Sequence, residues 1–506
     1  MAFGSSAADW PNGCAEVPPN ISPKRALIRG AAWTIGTRWS VRALGFGNTM
    51  VMARLLIPSD YGLVAIGMLL YGVLQAFIEN GAAVALLRKD AVTEQEINAA
   101  WTLRLIQCVV AGVALAVVAP FAALYFDEPK IRDIVWLLAG CMLMPGLANI
   151  GMTLAQKEYN YTLEFKSGII CKLVGILVGI AAGYVLRDYR ALLLSLAAGF
   201  ICGLVLSYTL HPYRPRWDTR QIRQTWDFSK WLMLSGFGGF VLHKADELIA
   251  ARVGSTADFG LYNVGASLGQ MPTGEVGPAM LKALMPVLAS LQLSPAQMKA
   301  TALKTMAVLN SITLPIGLGF AALAVPATEF ILGPAWRGAS GFVAGFALVS
   351  TLQIVLQPLA TLLVTMGHSK VQSRIVFIEF GGFVVAALLL TPLLGLPGLV
   401  FARILAALVS LTATGLSARR HCGVPLTAAA LTFWRPLAGA CLMGVGVHTL
   451  CSWEQSLPML LFTGVSAGVL FYTLWMYLSW HWLGRPDGLE ATIVANAPQL
   501  VPAFLR

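Results

Sequence analysis

Charge is scarce in this chain. Of 506 residues only 12% are Asp, Glu, Lys or Arg, and 57% are hydrophobic. Soluble domains carry about a quarter charged residues, so an ordinary water-soluble enzyme is excluded. Cysteine is equally sparse. The eight Cys residues (Cys14, Cys108, Cys141, Cys171, Cys202, Cys422, Cys441 and Cys451) fall mostly inside apolar runs, with no CxxC pair and no His/Cys cluster. Neither a disulfide framework nor a metal centre is expected, and the thiols read as small buried hydrophobes. No nucleotide-binding motif is present and no cofactor is expected. No long polar segment separates the apolar runs, so no appended soluble domain is expected on either side of the bilayer.

What is abundant is uninterrupted apolar sequence, in stretches of roughly 20 to 28 residues, enough to cross a hydrocarbon core of about 30 Å. The chain therefore reads as an all-α polytopic membrane protein. Its fourteen expected helices cover 26–56, 60–87, 98–125, 131–156, 163–186, 189–211, 227–253, 258–289, 297–325, 338–366, 370–391, 395–417, 430–451 and 456–482. Breaks fall at turn residues and charges, such as Pro58-Ser-Asp60, Asp127-Glu-Pro-Lys130, Gly333-Pro334 and Leu396-Pro397-Gly398. Residues 1–23 form a polar tail, and the first apolar run after Lys24 and Arg25 is too long for a cleavable signal.

Lys and Arg outnumber Asp and Glu, 35 to 24, for a net charge of +11. Nucleic acid is one explanation of such an excess; membrane sidedness is a better one. With the N-terminus in the cytoplasm, 20 basic residues fall in inner loops and tails and 7 in outer ones. That asymmetry sets an N-in, C-in orientation and leaves no role for nucleic acid.

The stretch Trp231 to Leu268 repeats the stretch Trp33 to Leu70 without a gap, at an offset of 198 residues. Identical pairs include Trp33/Trp231, Arg54/Arg252, Asp60/Asp258, Gly62/Gly260, Leu63/Leu261 and Gly67/Gly265, and Asn48 pairs with Asp246. An Arg, an Asp and two Gly at fixed spacing are rarer in membrane helices than Leu and Ala, which makes this an internal repeat. Six expected helices per period is an even number, so the copies are parallel rather than inverted. The organisation expected is an N-lobe (24–211), a basic cytoplasmic linker (212–226), a C-lobe (227–420), two further helices (421–484) and a tail (485–506).

The segments Gly30-Ala-Ala-Trp33, Met52-Ala-Arg-Leu-Leu-Ile-Pro-Ser-Asp-Tyr-Gly-Leu63 and Glu79-Asn-Gly-Ala82 resemble the oligosaccharide flippases of the polysaccharide transporter family. These are Wzx-type members of the multidrug/oligosaccharidyl-lipid/polysaccharide exporter superfamily. Phe228-Ser-Lys-Trp231 and Asp258-Phe-Gly-Leu-Tyr262 look like the same family's seventh helix. The resemblance implies a two-lobed inner-membrane transporter with a central cavity between the lobes. Its implied cargo is an undecaprenyl-diphosphate-linked sugar repeat unit for exopolysaccharide, capsule or O-antigen synthesis. Its implied partners are that glycan lipid, membrane lipids and the polymerase or export machinery of the same pathway.

Charges inside a span are costly and normally face protein or water, so each is a candidate. Arg38 and Arg42 share one face of the first helix at i, i+4 spacing. Their repeat counterparts are Gly236 and Phe240, so only the first copy carries the cations. Guanidinium forks suit phosphate oxygens, and Arg42, Arg38, Lys244, Asn48, Glu275, Arg104 and Arg403 are the candidates for substrate binding. Asp246, Glu247 and Glu275 are candidates for ion coupling, with ion pairing of Asp246 to Arg42 or Lys244, and of Lys244 to Glu247, as the bland alternative. Arg104, Lys172, Lys282 and Arg403 lie close enough to an interface that snorkelling is the simpler reading. Arg54, Asp60, Arg252 and Asp258 are kept in both copies, which favours capping and a salt bridge across the turn over substrate contact. Pro272, Pro278 and Pro286 predict a bend in the eighth helix.

The expectation is alternating access around a cationic cavity, without catalysis. A multidrug or cation antiporter and a peptidoglycan-precursor flippase of the same superfamily are the alternatives. A membrane glycan polymerase or ligase is disfavoured by the short outer loops.

Overall fold

The computed structural model describes residues 23–78, 86, 92–157, 161–274, 276–291, 294–450, 456–484 and 490. Among these the regular structure is all helix. The chain divides into two compact units, Met1–Gly260 and Leu261–Arg506.

The first unit contains α1 (Pro23–Leu55), α2 (Pro58–Ile78), α3 (Glu94–Tyr125), α4 (Lys130–Leu147), α5 (Gly151–Lys157), α6 (Tyr161–Leu186), α7 (Arg190–Leu210) and α8 (Ile222–Val253), and ends inside α9 (Thr256–Gln270). Local chemistry sets the boundaries. Pro58 opens α2, where its missing N–H would have no helical partner anyway. Thr93 and Glu96 form a reciprocal capping box at the start of α3. Helix α1 packs on α6, α6 on α7, α3 on α4, and α2 on α3, α4 and α8. Helix α8 joins this unit through α2 and α3, with the Phe77 and Phe237 rings stacked at 4.4 Å.

The second unit holds α10 (Val276–Ser290), α11 (Pro295–Ala322), α12 (Ala324–Leu332), α13 (Ser340–Val355), α14 (Gln357–Thr365), α15 (Ser369–Leu394), α16 (Leu396–Ser417), α17 (Leu426–Leu450) and α18 (Leu457–Trp482). Helix α11 is its centre, packed by α10, α13, α14 and α17. Leu288, Met306, Leu359, Leu362 and Met443 meet in the core, and the Tyr472 hydroxyl of α18 donates to the Ser311 carbonyl of α11 at 2.9 Å. The last two helices thus share the core of this unit. Gly395, at φ 65°, makes the tight turn from α15 to α16.

Three expected helices are interrupted. The expected 131–156 helix bends by 53° between α4 and α5. Asn149 satisfies the break: its Oδ1 accepts from the Gly151 N–H at 2.9 Å, and its own N–H donates to Ser207 Oγ at 2.9 Å. The expected 258–289 helix divides into α9 and α10 around Pro272, and the expected 338–366 helix divides at Leu356, ahead of Pro358. Each of the fourteen expected segments carries helix, but the count of membrane-crossing lengths differs. Among the described residues ten helices are long and apolar enough to cross a membrane, or eleven if the bent α4–α5 pair is one span. Helices α1 and α8 and the α9–α10 pair stand outside that number. For α1 and α8 the reason is composition, since Arg38, Arg42, Lys244, Asp246 and Glu247 sit in mid-helix.

Candidate functional site

The intramembrane charges of the first unit come from α1, α3, α6 and α8. On α1, Arg42 is half-buried; the side chain of Arg38 lies outside the described residues. Three residues along from Arg42, and so on the same face, is Gly45. Lys172 of α6 occupies the space that Gly45 leaves open, with Cε 3.4 Å and Nζ 3.6 Å from where a Cβ would stand. A lysine that sequence reasoning assigned to the membrane rim therefore reaches α1 one turn from Arg42. Lys172 has no ion-pair partner among the described residues. The signal that could have found it is the pairing of a bare Gly45 with a long side chain on a helix two hairpins away, which a sequence alone does not display.

Asn48 continues along α1, half-buried, with its Oδ1 shut off from solvent and without a hydrogen bond among the described residues. Its repeat counterpart Asp246 is 4% exposed. On α8, Lys244 and Glu247 form an i, i+3 ion pair. Two positions away from Lys244, Asp246 points to a different side of the helix. His243 is exposed. On α3, Arg104 is half-buried, and Gln107, not singled out from sequence, is buried with Nε2 3.2 Å from Met233 Sδ of α8.

The remaining candidates are dispersed. In the second unit Arg403 of α16 lies 4.5 Å from the ring centroid of Phe383 on α15, a cation–π contact. Lys282 is exposed, and Glu275, like Glu79, lies outside the described residues. No group of three or more His, Cys, Asp or Glu that could hold a metal ion occurs among the described residues.

The repeated Arg/Asp motif has a different geometry. Asp60 Oδ2 accepts the Ile57 N–H at 3.3 Å, and Asp258 Oδ2 accepts the Ser255 N–H at 3.2 Å. Each carboxylate reaches back from the third position of its helix to the residue before it. Arg252 does not pair with Asp258 among the described residues; its guanidinium lies 5.2 Å from the Tyr125 ring centroid. The salt bridge expected across that turn is replaced by a cap and a separate cation–π contact, because the carboxylate is already committed to the backbone. Arg54 is exposed at the end of α1.

This arrangement brings Lys172 of α6 against α1, one turn along from the half-buried Arg42. Such a pair can hold phosphate or carboxylate oxygens. The fold is similar to that of the lipid II flippase MurJ in an inward closed conformation. The TM-score is 0.70 at 11% identity, over 90% of this chain and 100% of that one. Fold and composition together define a polytopic helical membrane protein. The family model described as "Polysaccharide biosynthesis protein" matches residues 51–341, and the chain belongs to that family. It is 19% identical over 364 residues to an uncharacterized membrane protein in the cps region of Klebsiella pneumoniae, covering 71% of this chain and 75% of that protein. It is also 19% identical over 371 residues to the lipopolysaccharide biosynthesis protein WzxC of Escherichia coli (strain K12), covering 72% and 74%.

Proposed function

We propose that this protein flips an undecaprenyl-diphosphate-linked oligosaccharide repeat unit across the bacterial inner membrane by alternating access. The product serves exopolysaccharide, capsule or O-antigen synthesis. The observation that carries the reading is Lys172 lying against Gly45 one turn from Arg42, which puts cations from two packed helices on one stretch of α1. A lipid diphosphate is the anionic cargo such a pair would take. Family membership and the names of the relatives support a glycan-precursor cargo.

In this reading Arg42 and Lys172 receive the diphosphate, with Arg38, Arg104, Asn48, Lys244 and, in the second unit, Arg403 and Glu275 along the path. Asp246, with Glu247, carries the coupling ion. The N-terminus and C-terminus are cytoplasmic, as the 20-to-7 distribution of basic residues favours. The repeat gives two six-helix lobes and a C-terminal helix pair.

The test is flipping of a labelled undecaprenyl-diphosphate oligosaccharide in proteoliposomes, comparing wild type with Arg42→Ala, Lys172→Met and Asp246→Asn. Transport that falls tenfold or more in the first two variants, with altered ion dependence in the third, is the expected result. Full transport by all three overturns the site. Wild-type protein that moves cationic drugs and no glycan lipid overturns the function.

A further inference from the structure

Residues 211–219, between α7 and α8, have no helical structure, yet they are tied down at many points. Asn98 Oδ1 accepts from the Tyr213 hydroxyl and from the Arg216 backbone N–H, each at 2.8 Å. Thr102 Oγ1 accepts from the Asp218 N–H at 3.1 Å. Asn149 Nδ2 donates to the Tyr213 carbonyl at 2.6 Å. Asn98, Thr102 and Asn149 are all buried. The segment is therefore a strap laid over the start of α3 and the α4–α5 bend, not a slack linker.

Held this way, the strap turns its charges and its largest ring outward. Residues 211–226 contain four Arg against one Asp. Arg214, Arg216, Arg220 and Arg223 are exposed, and Trp217 is 61% exposed. Arg214 is itself oriented: it donates to the His211 and Tyr213 carbonyls, both at 2.9 Å, and lies over the Tyr208 ring. A cavity of about 390 Å³ is lined by Arg216, Trp217 and Arg220 together with Glu94 and Asp218.

Nothing in the fold requires an exposed indole on a strap that also exposes Arg214, Arg216 and Arg220. The place they occupy explains them. The strap begins where the 21-residue apolar helix Arg190–Leu210 ends, which is the depth of the lipid headgroups. Trp concentrates at that depth, and Arg forks match phosphate oxygens. Because the strap is already ordered, little conformational freedom is lost on binding.

We propose that the strap is a lipid-headgroup site, in which Arg214, Arg216 and Arg220 hold the phosphodiester of an anionic glycerophospholipid while Trp217 enters the interface. A polyprenyl diphosphate would present similar phosphate chemistry. The carboxylates of Glu94 and Asp218 disfavour that more highly charged group and can accept hydrogen bonds from a hydroxylated headgroup. Phosphatidylglycerol, with one negative charge and two free hydroxyls, suits a cavity lined by both guanidinium and carboxylate groups. This inference does not depend on what the protein transports.

The test uses the full chain in detergent micelles, titrated with phosphatidylglycerol, phosphatidylcholine, undecaprenyl diphosphate or inorganic phosphate, and reads the melting temperature. Phosphatidylglycerol is expected to raise it and phosphatidylcholine to leave it unchanged. Each basic residue near an anionic surface is worth roughly fivefold in binding, so R214Q/R216Q/R220Q should weaken phosphatidylglycerol on the order of a hundredfold. R214K/R216K/R220K should restore most of the loss. These substitutions spare the strap's anchors from Asn98, Thr102 and Asn149, which go to backbone groups and Tyr213. If the glutamine variant does not fold, salt decides on wild type alone. An affinity that does not fall between about 0.05 and 0.5 M salt overturns the proposal. Equal response to the two glycerophospholipids also overturns it, as does unchanged affinity in a folded glutamine variant. A response to undecaprenyl diphosphate or inorganic phosphate without one to phosphatidylglycerol reassigns the strap to another phosphate ligand and overturns the assignment.

Discussion

Gly62 and Gly260 touch each other, and each is the other's repeat equivalent. A methyl group on Gly62 would overlap the Thr256 carbonyl, and one on Gly260 would overlap the Pro58 carbonyl. Each such methyl would also stand 3.0 Å from the backbone nitrogen of the other glycine. Pro58 and Thr256 differ by the same 198 positions as the glycines. The start of α2 and the start of α9 therefore cross backbone to backbone in a reciprocal contact.

That contact makes Gly62→Ala and Gly260→Ala damaging despite the small size of the added group. Backbone cannot move aside as a flexible side chain can, so each substitution should cost about 1–3 kcal/mol by overpacking. Both methyls strain one crossing, so the double variant should lose less than the sum of the singles. Thermal unfolding in detergent, run as a double-mutant cycle, checks this; additive losses would contradict a shared contact.

Arg435 of α17 is buried and pairs with Glu490 at 2.8 Å, while also donating to Ser479 Oγ at 3.2 Å and to the Met476 carbonyl at 3.1 Å. Removing one partner of a buried pair strands the other. Glu490→Leu alone should destabilise by about 3–5 kcal/mol, whereas Arg435→Met combined with Glu490→Leu should recover much of that loss. Melting temperatures of the singles and the double discriminate; a harmless Glu490→Leu would show that the pair carries no weight.

Burial and the neighbouring Arg214 cation hold the His211 imidazole below its ordinary pKa of 6.5. The opened strap therefore binds more protons than the closed one. The contribution of His211 to closure is complete above about pH 6.5 and is lost as pH falls through the lowered value. Amide hydrogen exchange across 211–219 should accelerate at pH 5.5 relative to 7.5, once corrected for intrinsic rates. His211→Asn should flatten the dependence. Identical pH profiles for the two proteins would rule His211 out as the cause.

Gly45→Leu should act on Lys172 without touching its charge. The new side chain would fill the space over α1 that the lysine occupies. Glycan-lipid flipping should fall at least about tenfold, close to the effect of Lys172→Met, with the protein still folded. Proteoliposome transport and a size-exclusion profile give the two readouts. A folded Gly45→Leu protein of full activity would separate Lys172 from transport.

Much of this molecule was legible before its structure. Helix placement followed from apolar length, and the repeat from Arg54, Asp60 and Gly62 against Arg252, Asp258 and Gly260. The bend at Asn149 was not legible, because its cause lies in Ser207 and Tyr213, more than fifty residues away. Among the described residues fewer helices than the expected fourteen are apolar enough to count as spans, because the charges of α1 and α8 lower their hydropathy. The contact of Lys172 with Gly45 was not legible, because depth along a helix is read from sequence, whereas the facing helix is not.

The sequence by itself determined that this chain is a helical membrane protein with an internal repeat and a few cations within its helices. The physical reason is that bilayer thickness turns hydrophobic length into a local, one-dimensional constraint. The tertiary structure alone decided which groups meet: Lys172 with Gly45, Arg435 with Glu490, Asp258 with the backbone rather than Arg252, and Gly62 with Gly260. Partner choice depends on how helices distant in sequence pack against one another, and in an apolar medium that packing is selected by fine shape and small residues rather than by hydrophobicity.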